Sequence, residues 1–320
     1  MFSVLVVTYN TDLKKLLITL KSILLQNHKS IQIVVSDDGS KENHFEQVRD
    51  FFKQYNFTEY ELVGHENNQG TVRNILSGLE AVKGKYVKII SGGDALYDEN
   101  SVSKISSFMD KTKAEGCFGL LQGYQITEDG TIKKTNFNSP FDIEAYRNND
   151  NKKIEKNLVL YSDNTCGAAI CYEREYCREY LSRISEYVKY EEDIFQVLSA
   201  VEGRRLQFLD EYIIWYEKGE GVSTKKHSKF QELLREDVDR FYDRLCEDFS
   251  DNKFVKKRKR VKALYKINNV YIRTLLRFFV NPDAIRYLVS HYIQSATGKH
   301  HSKCESKGFL DTKEFWKGLC

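Results

Sequence analysis

Carboxylates and small polar residues recur where apolar, β-branched runs of the sequence end. Thr8-Tyr9-Asn10 follows the first run, Asp37-Asp38 the second, and Ser91-Gly92-Gly93-Asp94 a later one. A carboxylate can accept hydrogen bonds from a base or ribose, and it can hold a divalent cation that bridges phosphates. These residue types therefore predict a site for a nucleotide and a metal ion.

Two common phosphate-binding patterns are missing from the sequence. No GxGxxG follows the first apolar run, and GxxxxGK[ST] occurs nowhere. In both patterns a glycine-rich loop brings backbone N–H groups to a phosphate. The sequence therefore excludes a Rossmann dinucleotide site and a P-loop.

The elements that must position these residues alternate between strand and helix over the first hundred residues. Apolar runs predict four strands, at Ser3–Thr8, Ile31–Val35, Tyr60–Val63 and Tyr86–Ile90. Helical spacing of apolar residues separates them, as in the stretch from Leu13 to Leu24. This alternation predicts βαβ units and a parallel sheet, in which ligands bind beyond the carboxyl ends of the strands.

From about residue 100 to 225 the pattern is mixed. Gly119–Thr127 and Thr131–Asn136 predict a hairpin, and Leu206–Tyr216 predicts a strand. Between them, Tyr190-Glu191-Glu192-Asp193 begins a predicted helix. Beyond about residue 226 the chain is predicted to be helical and basic.

The order of these motifs resembles family 2 of the glycosyltransferases, which have the GT-A fold. The resemblance covers residues 1–225 and is carried by five motifs: Val6–Asn10, Ser36–Ser40, Asn67–Gly70 with Arg73-Asn74, Ser91–Asp94, and Glu192-Asp193. It implies an α/β fold of GT-A type, with a Rossmann-like, mostly parallel sheet and flanking helices. It also implies inverting, metal-dependent transfer of a hexose from a UDP-sugar to a glycan acceptor, with Mn²⁺ or Mg²⁺ on the diphosphate.

The resemblance also implies roles for the nucleotide-binding residues. Thr8, Tyr9 and Asn10 would line the base pocket, with Tyr9 offering its aromatic face. Asp38 would accept a hydrogen bond from the uracil imide N–H, and Arg73 would approach the base or the diphosphate.

Two further roles concern the reaction itself. Asp94 would be the metal-binding carboxylate, and Asp193 the general base that takes the proton from the acceptor hydroxyl, with Glu192 as a substitute. The family's metal motif usually carries an acid directly before the ligand, as in SGDD, and here Gly93 stands there. We therefore expect a low metal affinity or a lost ribose contact, with activity retained.

Each of these acids also has a structural interpretation. Asp37–Ser40 suits an ordinary turn, because Asp and Gly favour turn conformations. Asp94 could cap a helix, and Glu191–Asp193 could stabilise a helix N-terminus through the macrodipole.

Charge divides the chain into an acidic body and a basic C-terminal region. Residues 253–303 contain thirteen Lys/Arg and one acid, a net charge of +12, and the remainder has 36 basic and 45 acidic residues, a net charge of −9.

We predict a glycosyltransferase domain over 1–225, with nucleotide-sugar binding in 1–100 and acceptor binding and the base in 101–225. Residues 226–320 form a predicted basic amphipathic helical region.

The basic region has two open interpretations. Cationic residues beside aromatic and aliphatic ones suit a helix in an anionic membrane interface, and they equally suit a contact within a homo-oligomer. Nucleic-acid binding is not favoured, because no recognition motif accompanies the charge.

Composition and targeting signals limit the class of protein. The 320 residues are 41% hydrophobic and 30% charged, as in a folded globular protein. Seven cysteines without a CxxC pair, together with the lack of a signal peptide or a long apolar span, predict a cytoplasmic protein, peripheral to the inner face of a membrane. The acceptor would be a lipid- or protein-linked glycan in cell-surface polysaccharide or glycoprotein assembly.

Two rival functions remain from other classes. A sugar-1-phosphate nucleotidyltransferase also uses a parallel sheet, acids and Mg²⁺, but it would need a glycine-rich basic loop after the first strand. A non-catalytic scaffold of the same fold is kept open by Gly93.

Overall fold

The computed structural model describes residues 1–127, 130–135, 139–218, 229–264, 266–297 and 307–319. The strands within these ranges are β1 (Phe2–Thr8), β2 (Ile31–Asp37), β3 (Tyr60–Gly64), β4 (Tyr86–Ser91), β5 (Ala95–Leu96), β6 (Gly116–Ile126), β7 (Ile132–Thr135), β8 (Ile170–Glu173) and β9 (Gln207–Glu217). The helices are α1 (Leu13–Leu24), α2 (Phe45–Gln54), α3 (Thr71–Ala81), α4 (Ser101–Thr112), α5 (Ile143–Arg147), α6 (Asn151–Tyr161), α7 (Arg174–Ile184), α8 (Phe195–Val201), α9 (Lys229–Asp248), α10 (Lys253–Leu264), α11 (Val270–Val280), α12 (Asp283–Thr297) and α13 (Lys313–Trp316).

One sheet contains all nine described strands, in the order β3-β2-β1-β4-β8-β6-β9-β5, with β7 paired to β6. The first four strands are parallel, as predicted, because a helix follows each of the first three and returns the chain to the same end of the sheet. Beyond β4 the sheet is mixed: β8 runs antiparallel to β4 and β6, whereas β9 runs parallel to β6. The α/β class with flanking helices is confirmed, and its parallel character is concentrated in the N-terminal half.

Hydrophobic side chains cover both faces of this sheet. Along β1, Val4 and Val6 contribute to one core cluster and Leu5 to the other, because successive strand residues point to opposite faces. Helices α1, α2 and α4 cover the face to which Val4 and Val6 point, here called the first face. Helices α3 and α6 to α10 cover the face to which Leu5 points, the second face. Both faces of β1 are therefore buried, which explains why its sequence is a continuous apolar run.

The C-terminal part of the described chain returns to this body. Phe241 and Tyr242 of α9 and Val255 of α10 are buried in the core of the second face. Residues Gly308–Leu319 pack on the first face, where Lys21 Nζ donates to the Lys317 carbonyl at 2.5 Å. The predicted boundary between residues 225 and 226 lies outside the described residues, and the domain division stays a prediction.

Two class predictions can be compared with the structure. Among the described helices, none is long and apolar enough to cross a membrane. The five described cysteines, at positions 117, 166, 171, 177 and 246, are all unpaired thiols.

Candidate functional site

The ends of β1 and β2 are joined by a turn that Asp37 organises. Asp37 Oδ1 accepts hydrogen bonds from the hydroxyls of Thr8 (2.8 Å) and Ser40 (2.6 Å), and Oδ2 accepts from the Ser40 N–H at 2.8 Å. Thr8 and Asp37 are both buried. For Asp37 the turn interpretation is therefore sufficient, and the Thr8 hydroxyl already has a protein partner.

Asp38 connects the same turn to the start of α3. Its two carboxylate oxygens accept from the backbone N–H groups of Gln69 at 2.6 Å and Gly70 at 3.0 Å. Burial raises the pKa of Asp38, while these two N–H groups and the nearby His65 and Lys189 oppose the rise. Asp38 thus holds the loop that precedes α3, and each oxygen retains a lone pair for a further donor.

The remaining predicted nucleotide residues lie at the exposed rim of this edge. The Tyr9 side chain is 45% exposed, which leaves its ring face open for stacking. Asn10 is also exposed, and its N–H donates to the Ser40 hydroxyl at 2.6 Å. Arg73 is exposed in the first turn of α3. The structure therefore brings Thr8, Tyr9, Asn10 and Asp38 together, with Arg73 on the helix that Asp38 anchors.

Asp94 lies just beyond β4 and is paired with a residue from the far end of β9. Its Oδ1 accepts from the Glu217 N–H at 2.9 Å, and the two side chains are only 6% and 8% exposed. Burial raises the pKa of Asp94 to about 7; the Glu217 N–H and Lys88 lower it, and the Glu217 charge raises it further. Lys15 Nζ lies 2.9 Å from Glu217 Oε1 and balances part of this negative charge.

Gly93 explains how Glu217 reaches this position. Its φ of +106° is a backbone conformation that side chains disfavour, and a Cβ there would collide with the Glu217 carboxylate. Glu217 therefore occupies the space where the family's usual acid would project its side chain. Position 93 lacks the family's usual carboxylate, and Glu217 at the end of β9 provides one beside it.

We tested whether these residues suit a divalent cation. No cluster of three or more His, Cys, Asp or Glu suited to a metal occurs in the part of the chain described. Mg²⁺ in nucleotide sites is usually held by one or two carboxylates, with substrate phosphates and water completing its shell. Asp94 and Glu217 provide that number, so the residues present fit a cation that is shared with a diphosphate.

Asp193 is held by a close contact with the backbone of Gly167. The Gly167 N–H donates to Asp193 Oδ2 at 2.8 Å, and a Cβ at residue 167 would clash with the carboxylate. Burial raises the pKa of Asp193 to about 6, with the Gly167 N–H and Lys88 opposing the rise. At neutral pH this carboxylate is mostly ionised and can accept a proton.

The two acids that precede Asp193 also have raised pKa values. Burial, followed by the charges of Asp193 and Glu191, raises the pKa of Glu192 well above its usual range. Burial raises the pKa of Glu191 to about 7. Of the three neighbouring acids, Asp193 is the one best able to act as a base near neutral pH.

Lys88, in the middle of β4, is fully buried near both acidic groups. Its Nζ donates to the carbonyls of Ile89 and Ile170, each at 3.0 Å, and to that of Ala168. Burial lowers the pKa of Lys88, yet three acceptors match the three N–H groups of an ammonium ion. Its charge lowers the pKa of both Asp94 and Asp193.

Asp237 of α9 supports the segment that leads to the predicted base. Its Oδ2 accepts from the N–H groups of Lys189 (2.9 Å), Tyr190 (2.6 Å) and Glu191 (3.2 Å). Asp237 itself is fully buried. A helix from the predicted C-terminal region thus helps to place Asp193.

Three of these site residues, Lys88, Glu217 and Asp237, were not predicted from the sequence. The sequence does contain a clue to Lys88: a lysine inside an apolar strand that is covered on both faces needs buried hydrogen-bond partners. The sequence gives no such clue for the other two, since Glu217 contacts Asp94 and Asp237 contacts residues 189–191, all far away in the chain.

Comparison with known proteins identifies the family. A family model described as Glycosyl transferase family 2 matches residues 3–181, more than half of the chain. Glycosyltransferase GlyG of Streptococcus pneumoniae serotype 4 is 29% identical over 128 residues, covering 40% of this chain and 41% of GlyG. The matched part spans about two fifths of the length of the curated relatives.

Solved structures show the same fold at low sequence identity. S. aureus TarS 1–349 in complex with UDP has a TM-score of 0.52 and 15% identity, covering 96% of this chain and 94% of that one. GalNAc-T7 with UDP, GalNAc and Mn²⁺ has a TM-score of 0.57 and 14% identity, covering 82% and 50%. With the family match over residues 3–181, the chain belongs to family 2 of the glycosyltransferases.

Proposed function

We propose that this chain is an inverting, metal-dependent hexosyltransferase that uses a UDP-sugar. Its acceptor would be a hydroxyl of a lipid- or protein-linked glycan, in the assembly of a cell-surface polysaccharide or glycoprotein. The donor class is supported by the structural neighbours, because TarS was solved with UDP and GalNAc-T7 with UDP, GalNAc and Mn²⁺. The open Tyr9 ring and the Asp38 carboxylate are side chains that a uracil base could use.

The observation that carries the proposal is the position of Asp193 before α8, where the Gly167 N–H donates to its carboxylate at 2.8 Å. The pKa of Asp193 is about 6, so its carboxylate is mostly ionised at neutral pH, whereas burial and the neighbouring acids raise the pKa of Glu192 well above its usual range. In an inverting transfer, the acceptor oxygen forms a bond to the sugar's anomeric carbon as the bond to UDP breaks. Asp193 would take the acceptor hydroxyl proton in that step.

Asp94 and Glu217 are the residues that would hold Mn²⁺ or Mg²⁺. When bound, such a cation neutralises the charge that develops on the departing diphosphate. The hydrogen bond from the Glu217 N–H to Asp94 orients the Asp94 carboxylate. Lys15, 2.9 Å from Glu217, adds a positive charge beside the pair.

One observation weakens each of the two rival functions. The nucleotidyltransferase is weakened by the family match, and it would also need the basic glycine-rich loop that the sequence lacks after β1. The non-catalytic scaffold was suggested by Gly93, and Glu217 provides a carboxylate in the space beside that residue.

A panel of UDP-sugars tests the proposal. The purified chain is incubated with each sugar nucleotide and Mn²⁺ or Mg²⁺, and released UDP is measured with and without EDTA. We expect metal-dependent UDP release from at least one donor. Donor binding without release in every case would indicate the scaffold, and pyrophosphate release from UTP with a sugar 1-phosphate would indicate the nucleotidyltransferase.

A further inference from the structure

Helices α11 and α12 each expose a row of large apolar side chains. On α11, Tyr271, Leu275 and Phe279 are 87%, 59% and 75% exposed, and their spacing of four places them on one face. Exposed positions of α12 follow the same helical periodicity: Ile285, Leu288, Val289 and Tyr292. We refer to these seven residues as the apolar stripe.

The opposite face of α12 packs on the body and fixes the direction of the stripe. Tyr287 stacks on Tyr161 with ring centroids 4.1 Å apart, and the His291 ring lies 4.7 Å from that of Phe141. Ala284, on the same inner face, is buried. The core therefore uses one face of α12, and the stripe lies on the other.

Positive charge is concentrated in the same part of the chain as the apolar stripe. Residues 253–297 contain eleven Lys/Arg and one acid, Asp283. Lys259 and Arg260 of α10 and Arg286 of α12 are exposed. A second copy of the chain would bring the same positive surface against this one, whereas an anionic lipid surface complements both the charge and the apolar side chains.

We propose that the apolar stripe and its neighbouring cations bind the surface of an anionic lipid bilayer. The apolar side chains insert at the boundary between headgroups and acyl chains, and the lysines and arginines lie at the lipid phosphates. Neither contribution alone gives stable anchoring, since peripheral binding usually combines apolar burial with electrostatic attraction.

The stripe is connected to the predicted base through a short segment. The Tyr287 hydroxyl is hydrogen-bonded to Asp163, and the Gly167 N–H bonds Asp193. Gly167 is the fourth residue after Asp163, so their Cα atoms are at most about 14 Å apart. If the proposed function holds, a bilayer at the stripe would hold a lipid-linked acceptor on α12, which contacts the segment 163–167 that leads to Asp193.

Vesicle flotation of the whole chain tests the proposal. Vesicles of phosphatidylcholine are compared with vesicles of phosphatidylcholine and phosphatidylglycerol in equal parts, at low and high salt. We expect binding to the anionic vesicles, weakened by salt, and a decrease in affinity of about tenfold or more for Leu275→Asp/Phe279→Asp. Leu233→Asp, at an exposed apolar position of α9, is the matched control and should bind as the unchanged protein does.

Two results would overturn the proposal. One is no binding to anionic vesicles, or equal binding to both vesicle types. The other is a dimer, detected by light scattering, that the aspartate variant dissociates; the stripe would then be a protein interface. Circular dichroism of the same samples shows that each variant is folded, and failure of the proposed sugar transfer would leave vesicle binding unchanged.

Discussion

At the scale of single residues, we predict that Tyr9 and Asp38 both bind the uracil base. Replacing Asp38 should also reduce the stability of the fold, whereas replacing Tyr9 should not. Tyr9→Ala should weaken UDP binding by about 0.5–1.5 kcal/mol through lost stacking and leave stability unchanged, because the ring is exposed. Asp38→Ala should weaken UDP binding and also destabilise the fold by about 1–3 kcal/mol, because the Gln69 and Gly70 N–H groups lose their acceptor. Calorimetric UDP titration and urea unfolding measure the two effects.

The control for Tyr9 is Tyr55→Ala, another exposed tyrosine, at the end of α2. UDP affinity should be the same for this variant as for the unchanged protein. Equal UDP affinity in Tyr9→Ala and Asp38→Ala as well would mean that the base binds elsewhere.

The charge state of Asp193 predicts how activity depends on pH. Transfer should increase with pH through about 6, as Asp193 loses its proton and becomes able to act as a base. Lys88 lowers the pKa of Asp193, so Lys88→Met should raise that pKa and move the acidic limb of the kcat/KM profile to higher pH. The groups that face Asp193 besides Lys88 are Glu191, Glu192, Cys166, Cys177, Tyr172 and Tyr216.

The four thiol and phenol groups in that set stay neutral near pH 6, since burial raises the pKa of each. They cannot produce the expected limb, whereas Asp94, with a pKa of about 7 that Lys88 also lowers, would contribute to it, so the profile is measured at saturating Mn²⁺. An acidic limb that does not move in Lys88→Met, or that moves to lower pH, would contradict the electrostatic role of the lysine. Circular dichroism at each pH separates this result from unfolding.

At the scale of elements, the end of β9 is predicted to complete the metal site. Glu217→Gln should lower Mn²⁺ affinity in the presence of UDP by about 10–100-fold, because it removes one of two carboxylates. Electron paramagnetic resonance of free Mn²⁺ reports this directly, without an activity assay. Glu211→Gln, on the same strand but paired with Lys104, is the matched control. Unchanged Mn²⁺ affinity in Glu217→Gln would leave Asp94 as the sole protein ligand of the pair.

A second prediction at this scale concerns the contact between α9 and the segment before α8. Asp237→Ala should lower the free energy of unfolding by about 1–3 kcal/mol, because it removes a buried carboxylate that accepts from three partly buried backbone N–H groups. Asp239→Ala, on the same helix but exposed and paired only with Lys262, should change it by less than about 0.5 kcal/mol. Urea unfolding measures both. Equal stability of the two variants would show that α9 does not hold this segment.

Local pattern was enough to predict most elements of the first hundred residues. Strands β1 to β4 and helices α1 and α3 follow from apolar periodicity, which is a property of neighbouring residues. The hairpin of β6 and β7 was also predicted correctly, because its turn is local. The position of β8 between β4 and β6 was not predicted, since it depends on pairing between strands far apart in the chain.

The candidate site shows the same division between local and distant information. Asp38, Asp94 and Asp193 could be proposed from motifs in which the chemistry and the turn lie together. Glu217 is more than a hundred residues from Gly93, and its relation to that residue depends on how β9 ends beside it. Asp237 likewise acts on residues 189–191 from a helix that charge alone assigned to a separate region.

At the scale of the whole molecule, the structure joins the nucleotide half and the basic region through one core. The first four strands supply the predicted nucleotide residues, and the mixed half of the sheet supplies Glu217 and the Gly167 contact to Asp193. Helices α9 and α10 pack on this body, and α12 contacts the segment next to Gly167. Placement at the inner face of a membrane stays a prediction, which the apolar stripe makes testable.

The central claim is that Asp193 is the base of a sugar transfer, and one comparison tests it most directly. Transfer from the active UDP-sugar and UDP affinity are measured for the unchanged protein, Asp193→Asn and Glu192→Gln. We predict that Asp193→Asn loses about two to four powers of ten in kcat with UDP affinity retained, because an amide cannot accept the proton, while Glu192→Gln stays active. Retained transfer in Asp193→Asn, or a loss confined to Glu192→Gln, would contradict the account.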